Sequence, residues 1–171
     1  VIAGLDPNPQ VAGRGVALLQ QAGIAVTVNV LTEQAEALNK GFLKAMRTQM
    51  HYVRLKIATS LDGRTAMATG ESKWITGSAA REDVQKLRAQ SAVIITGSQT
   101  VIADNPQLNV RSTQLGVALE QVPQPIVVIL DRSKRLAYDA KSPYTLCQQA
   151  NTIYWRNNDL SGLLTMLVSE H

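Results

Sequence analysis

Cysteine is nearly missing from this sequence: Cys147 is the only one in 171 residues. A single thiol excludes an internal disulfide and every zinc site built on several thiolates. His51 and His171 are the only histidines, so no set of ligands for a closed structural zinc site is expected and no metal is assigned. Long apolar runs are also missing. The longest uninterrupted aliphatic stretch is Ile126–Leu130, far below the roughly 20 residues a membrane helix needs. Aromatics make up only 4% of the chain, too few for a base-stacking surface, and the only tight basic cluster is Arg132, Lys134 and Arg135. These shortages argue against membrane and nucleic-acid partners.

The composition that remains is that of a folded protein. The length is the usual size of one domain, and 45% hydrophobic with 18% charged residues argues against disorder. Seventeen Lys and Arg against 13 Asp and Glu give a net charge of +4, which suits an anionic partner. Several arginines stand singly beside Gly, Ser and Thr, a distribution that fits a phosphorylated small molecule better than a polyanion. The lone thiol fits a reducing, cytoplasmic compartment. Val1 opens directly into the apolar run Val1–Leu5, and Leu160–Ser169 reads as an amphipathic helix with no cap after it. The chain is therefore expected to be a piece of a longer polypeptide.

Periodicity predicts an α/β fold, a layered and largely parallel sheet with helices. Strands are expected at Val1–Leu5, Ile24–Val30, His51–Ala58, Thr65–Ala68, Lys73–Ile75, Ala92–Thr96, Ile126–Leu130 and Thr152–Trp155. Helices are expected over Gly15–Ala22, from a Thr32 cap to about Met46, and from a Ser78 cap to about Gln90 with Ala80, Val84 and Leu87 facing inward. The first 47 residues thus read β-α-β-α. The Gln-rich stretch Ser112–Gln124 lacks periodicity and is expected on the surface.

Three groups of residues carry the chemical signal. Leu61-Asp62-Gly63-Arg64 followed by Gly70-Glu71-Ser72-Lys73-Trp74-Ile75-Thr76 places hydroxyls, charges and an indole in loops, although Asp62-Gly63 reads better as a tight turn. Thr96-Gly97-Ser98-Gln99-Thr100 follows an apolar strand. It could cradle a phosphate or simply join strand to helix, and it matches neither the Walker pattern nor Gly-x-Gly-x-x-Gly. Arg81 and Arg88 share a helix, and Arg111 follows the Asp104-Asn105-Pro106-Gln107-Leu108 loop. Arginines converging with Ser72 would clamp a phosphate, because guanidinium forks match its oxygens. On spacing alone each is equally a solvated surface residue.

Taken together, these motifs resemble one family. Asp6-Pro7-Asn8-Pro9-Gln10-Val11-Ala12-Gly13-Arg14-Gly15, Leu38-Asn39-Lys40-Gly41-Phe42, Ser60-Leu61-Asp62-Gly63-Arg64, Gly70 to Thr76 and Ala103-Asp104-Asn105-Pro106 are similar to the bifunctional deaminase–reductases of riboflavin biosynthesis. The resemblance covers residues 1 to about 111, then chiefly the strand ending at Asp131. It implies a dihydrofolate-reductase-like reductase portion over residues 48–171, preceded over 1–47 by the end of a cytidine-deaminase-like domain and a linker helix. The family's His-Ala-Glu and Pro-Cys zinc signature has no counterpart here, so zinc is expected only outside this sequence. The downstream glycine-rich nucleotide loop and a substrate-binding Glu are likewise not in it.

The resemblance further implies NADPH-dependent reduction of the ribosyl group of 5-amino-6-(5-phosphoribosylamino)uracil to the ribityl form, by hydride delivery to C1′. Matching positions imply cofactor contacts at Ala58, Trp74, Thr100 and Asp104, and substrate contacts at Ser72, Arg88, Leu108 and Arg111. Lys56 corresponds to a lysine near the ribosyl group that orients the substrate. Arg132 stands where the family often has a small hydroxyl residue, and an arginine there could pair with the 2′-phosphate of NADPH. The family suggests a homo-oligomer. Two other classes of function stay open at this point: a catalytically incomplete nucleotide-binding or assembly module, and a basic nucleic-acid-binding domain.

Overall fold

The aliphatic run Ile126–Leu130 forms the middle strand of a three-stranded parallel sheet. In the computed structural model, residues 1–70, 75–159, 161–163 and 166 are described. The chain divides into two units, Val1–Ile57 and Ala58–His171.

In the second unit, α4 (Ser78–Ala89) leads to β1 (Val93–Gly97), α5 (Ser98–Asp104), β2 (Ile126–Leu130) and β3 (Thr152–Trp155). The order is β1-β2-β3, with Val93 opposite Ile126 and Val127 opposite Thr152. Val127 and Ile129 pack with Val101, Leu136, Leu146 and Cys147, whereas Val128 packs with Leu163. Both faces of β2 are covered, which is why its sequence is an unbroken aliphatic run rather than an alternation. The predicted α/β class, the three strands and their parallel sense agree with this sheet.

Several expectations are corrected. Helix α4 starts after an extended Gly77 with no side-chain cap, and Ser78 is its first residue rather than its cap. Its buried residue is Gln85, with Val84 and Leu87 half-buried and Ala80 exposed. The Ser112–Gln124 stretch is not wholly superficial. Ser112 is buried and bonded to Glu82, and Leu119–Gln121 form a 3-10 turn. No strand forms over Thr65–Ala68, and Ile75 lies in a bend; Lys73 and Trp74 lie outside the described residues. Of the expected final helix, Ser161–Leu163 and Met166 are helical, and the rest lies outside the described residues.

The first unit holds α1 (Arg14–Gln21), α2 (Thr32–Leu38) and α3 (Lys40–Thr48). Gly23, at φ 77°, follows α1 as a terminator should. The single helix expected from Thr32 to Met46 is broken at Asn39, whose φ of −120° leaves the helical region. Thr32 is not a cap either: its hydroxyl donates to the Ala3 carbonyl at 2.6 Å. Among the described residues of this unit no strand forms, so the β-α-β-α expectation is corrected. Val1–Leu5 and Ile24–Val30 meet only through Ile2 N–H to Thr27 O and Val30 N–H to Ile2 O. Two such bonds do not make a ladder. His51–Ala58 forms no strand for the same reason, having no ladder partner among the described residues.

Candidate functional site

Two arginines distant in sequence converge on one asparagine. Arg88, in the last turn of α4, donates from Nη1 to the Asn109 carbonyl at 3.1 Å. Arg111 donates from Nη1 to the Asn109 side-chain oxygen at 3.0 Å. The segment is held there by side chains acting as backbone partners. Arg111 N–H donates to Gln85 Oε1 at 2.9 Å, and Val110 N–H to Gln124 Oε1 at 2.8 Å. Gln124 returns a bond from Nε2 to the Val110 carbonyl at 3.0 Å. Burial, and then the charge of Arg111, hold Arg88 below the ordinary guanidinium range. Neither arginine has an ion-pair partner among the described residues. Two like charges held on a neutral amide make a place where an anion is favoured.

A second polar group forms where the strands end. Asp131 follows β2 directly and has no exposed surface. Its carboxylate accepts from Arg135 N–H at 3.0 Å, Leu136 N–H at 3.1 Å and the Tyr138 hydroxyl at 2.9 Å. Burial pushes this carboxyl upward, but the donors outweigh it and hold it below the usual carboxylate range. Arg156 lies 4.0 Å away and stacks over the Tyr138 ring. Because Gly97 is opposite Leu130, the segments Ser98–Thr100 and Asp131–Arg135 emerge side by side. Arg135 Nη1 donates to Gln99 Oε1 at 2.9 Å, tying them together. This is the carboxyl edge of a parallel sheet, where α/β folds bind ligands. The Arg88–Arg111 group lies instead beside the strand starts, since Gln124 precedes β2 and α4 precedes β1.

The expected site residues fall as follows. Arg88 and Arg111 are brought together. Thr100, on α5, and Arg132, after β2, share the carboxyl edge, and both are exposed. Asp104 is exposed at the other end of α5. Leu108 is half-buried in a left-handed conformation, φ 51°, and packs against the core beside Asn109. Ala58 is half-buried at the start of the second unit, and Lys56 is exposed near the end of the first. Ser72 and Trp74 lie outside the described residues. Arg81 does not join Arg88; it donates to the Thr76 carbonyl at 2.7 Å. Sequence reasoning missed Asn109, Gln85, Gln124 and Asp131. An acidic residue ending the most apolar strand was the one signal available. Among the described residues, no three His, Cys, Asp or Glu side chains come together as metal ligands.

Comparison with known proteins gives a consistent result. Residues 51–161 match the model of the RibD C-terminal domain. The chain is 57% identical over 143 residues to riboflavin biosynthesis protein RibD of Haemophilus influenzae, covering 80% of this chain and 38% of that protein. It is 54% identical over 143 residues to RibD of Escherichia coli, covering 80% of this chain and 39% of that protein. Acinetobacter baumannii RibD (form 1) superposes with a TM-score of 0.83 at 49% identity, covering 99% of this chain and 51% of that one. A Thermotoga maritima diaminohydroxyphosphoribosylaminopyrimidine deaminase/5-amino-6-(5-phosphoribosylamino)uracil reductase gives 0.77 at 28% identity, covering 99% and 50%. The chain thus spans about two fifths of the curated relatives and half of these solved chains.

Proposed function

The chain belongs to the RibD C-terminal domain family, and from that premise we propose that it forms part of an NADPH-dependent reductase of riboflavin biosynthesis acting on 5-amino-6-(5-phosphoribosylamino)uracil. In this reading residues 48–171 contribute the first part of the reductase domain. Residues 1–47 contribute the end of a deaminase domain plus a linker helix, and any zinc belongs outside this sequence. The start of the family match at residue 51 supports that division. The protein works in the cytoplasm, as a homo-oligomer, on a phosphorylated pyrimidine ribosylamine.

The observation that carries the reading is the convergence of Arg88 and Arg111 on Asn109. Two guanidinium groups with no carboxylate between them suit the dianionic 5′-phosphate, with Ser72 and Leu108 completing the substrate contacts. The carboxyl edge suits the cofactor: it brings hydroxyl-bearing Thr100 and basic Arg132 to one side of the sheet, with Ala58, Trp74 and Asp104 as further contacts. When bound, NADPH supplies the hydride. Arg88 and Arg111 hold the substrate, and Lys56 orients its ribosyl oxygen and stabilises the charge that develops on ring opening. In the complete reductase that contains this sequence, consumption of NADPH on adding 5-amino-6-(5-phosphoribosylamino)uracil, with the ribityl product formed, is the expected outcome. Binding of neither ligand would contradict the reading.

A further inference from the structure

We infer that Gln85 is a positioning residue for the Arg88–Arg111 pair: it fixes where Arg111 stands and stays uncharged, so that the pair keeps its attraction for a phosphate dianion. The inference rests on the substrate reading above and assigns a residue that reading leaves out. Three observations carry it.

The first is a row on α4. Glu82, Gln85 and Arg88 stand three residues apart, a spacing that puts neighbours on one side of a helix. Each bonds the chain passing alongside. Glu82 accepts from the Ser112 hydroxyl, Gln85 Oε1 accepts from Arg111 N–H, and Arg88 donates to the Asn109 carbonyl. The partners follow in reverse order, so the segment runs antiparallel to the helix. From Glu82 to Arg88 the helix rises about 9 Å, and three residues of extended chain span about 10 Å. The two lengths match, so all three bonds form together.

The second is a clamp from the opposite side. Gln124 bonds both the N–H and the carbonyl of Val110. In extended chain a residue's N–H and C=O point to one side and its neighbour's to the other. Val110 therefore turns to Gln124 and Arg111 to Gln85. The bond from Gln85 is the one made at the backbone of Arg111 itself.

The third is burial without charge. Gln85 is 8% exposed and Ser112 7%, two of the four buried polar or charged side chains among the described residues. A polar group is taken out of water at a cost unless it is bonded, so Gln85 is not a solvated-face residue. Glu82, the carboxylate of the row, is bonded to Ser112 and forms no ion pair with either arginine. A glutamate at position 85 could accept the same N–H, but it would set a second carboxylate against the pair and compete with the phosphate.

The test uses the complete reductase that contains this sequence. Gln85→Met keeps the length and offers no acceptor, whereas Gln85→Glu keeps the acceptor and adds a charge. Gln85→Met should raise KM for 5-amino-6-(5-phosphoribosylamino)uracil about 3- to 10-fold, with kcat and the KM for NADPH within about twofold. A fall in kcat at unchanged KM is what a merely structural role gives, and would overturn the inference. Gln85→Glu should weaken the phosphorylated ligand by a similar factor and leave its dephosphorylated analogue unchanged in a calorimetric titration. Because Gln85 acts through Arg111, Gln85→Met should change KM by less than about twofold in an Arg111→Ala background. Full additivity there would overturn the inference. If Arg111→Ala alone fails to separate the two ligands, the phosphate reading falls and this inference with it. If it separates them and the Gln85 variants behave as wild type, the inference alone falls.

Discussion

At the scale of single residues, Asp131 shows how a buried charge is kept. A carboxylate without exposed surface must be compensated, and three hydrogen-bond donors do so here. Its folded pKa lies below its unfolded one, so its contribution is present at neutral pH and above the unfolded value near 3.9. It is lost as pH falls toward the folded value. Asp131→Asn keeps the shape but replaces an acceptor-only group. It should lower stability by about 1.5–3 kcal/mol at neutral pH, and this gap should close below about pH 4. Urea unfolding of both proteins across that range checks the sign; a gap that widens in acid would show that Asp131 is not held ionised. Arg88 follows the opposite logic, since burial and Arg111 make its charge costlier rather than cheaper. Nothing in its sequence neighbourhood gives this away. Arg81 has the same helical setting and instead bonds its own helix start at the Thr76 carbonyl. The convergence depends on Asn109, 21 residues away, a contact no local pattern encodes.

At the scale of elements, what could be read in advance was whatever depends on a dense local pattern. Thr152–Trp155 and Ile126–Leu130 match their predicted bounds because consecutive β-branched, aliphatic and aromatic residues favour a strand. Val1–Leu5 and Ile24–Val30 carry similar residues yet form no strand, because a strand exists only with a ladder partner. The break at Asn39 was hidden for a different reason: the apolar stripe of Ala35, Leu38, Phe42 and Met46 continues across it, and periodicity does not report backbone angles. The segment 109–112 was hidden because glutamines do the work of a strand neighbour. Gln124 both accepts from Val110 N–H and donates to Val110 O. Val110 is 2% exposed, so Gln124→Ala leaves a buried N–H unpaired and should cost about 1–3 kcal/mol in a denaturation midpoint series. The same variant should loosen the Arg111 end of the arginine pair, because Val110 is its neighbour in the chain. A change below a few tenths of a kcal/mol would mean that water replaces Gln124 at no cost.

At the scale of the molecule, the sparse cysteine and histidine content and the dispersed positive charge point the same way as the family match. With one Cys and two His, protein purified without chelator should carry substoichiometric zinc by elemental analysis. One tightly held zinc per chain would contradict the assignment of residues 1–47 as a metal-free deaminase end. No described helix is long and apolar enough to cross a membrane. Two groups of basic side chains bear on the proposal, the Arg88–Arg111 pair beside the strand starts and the Arg132–Arg135 turn beside the strand ends. The central claim is that the first of these reads the substrate phosphate. It is tested most directly, in the complete reductase that contains this sequence, by calorimetric titration of 5-amino-6-(5-phosphoribosylamino)uracil and its dephosphorylated analogue into wild type, Arg88→Ala and Arg111→Ala. Each arginine lost should weaken the phosphorylated ligand roughly 10- to 100-fold and leave the dephosphorylated one nearly unchanged. Equal weakening of both ligands, or of neither, would show that the pair does not hold the phosphate.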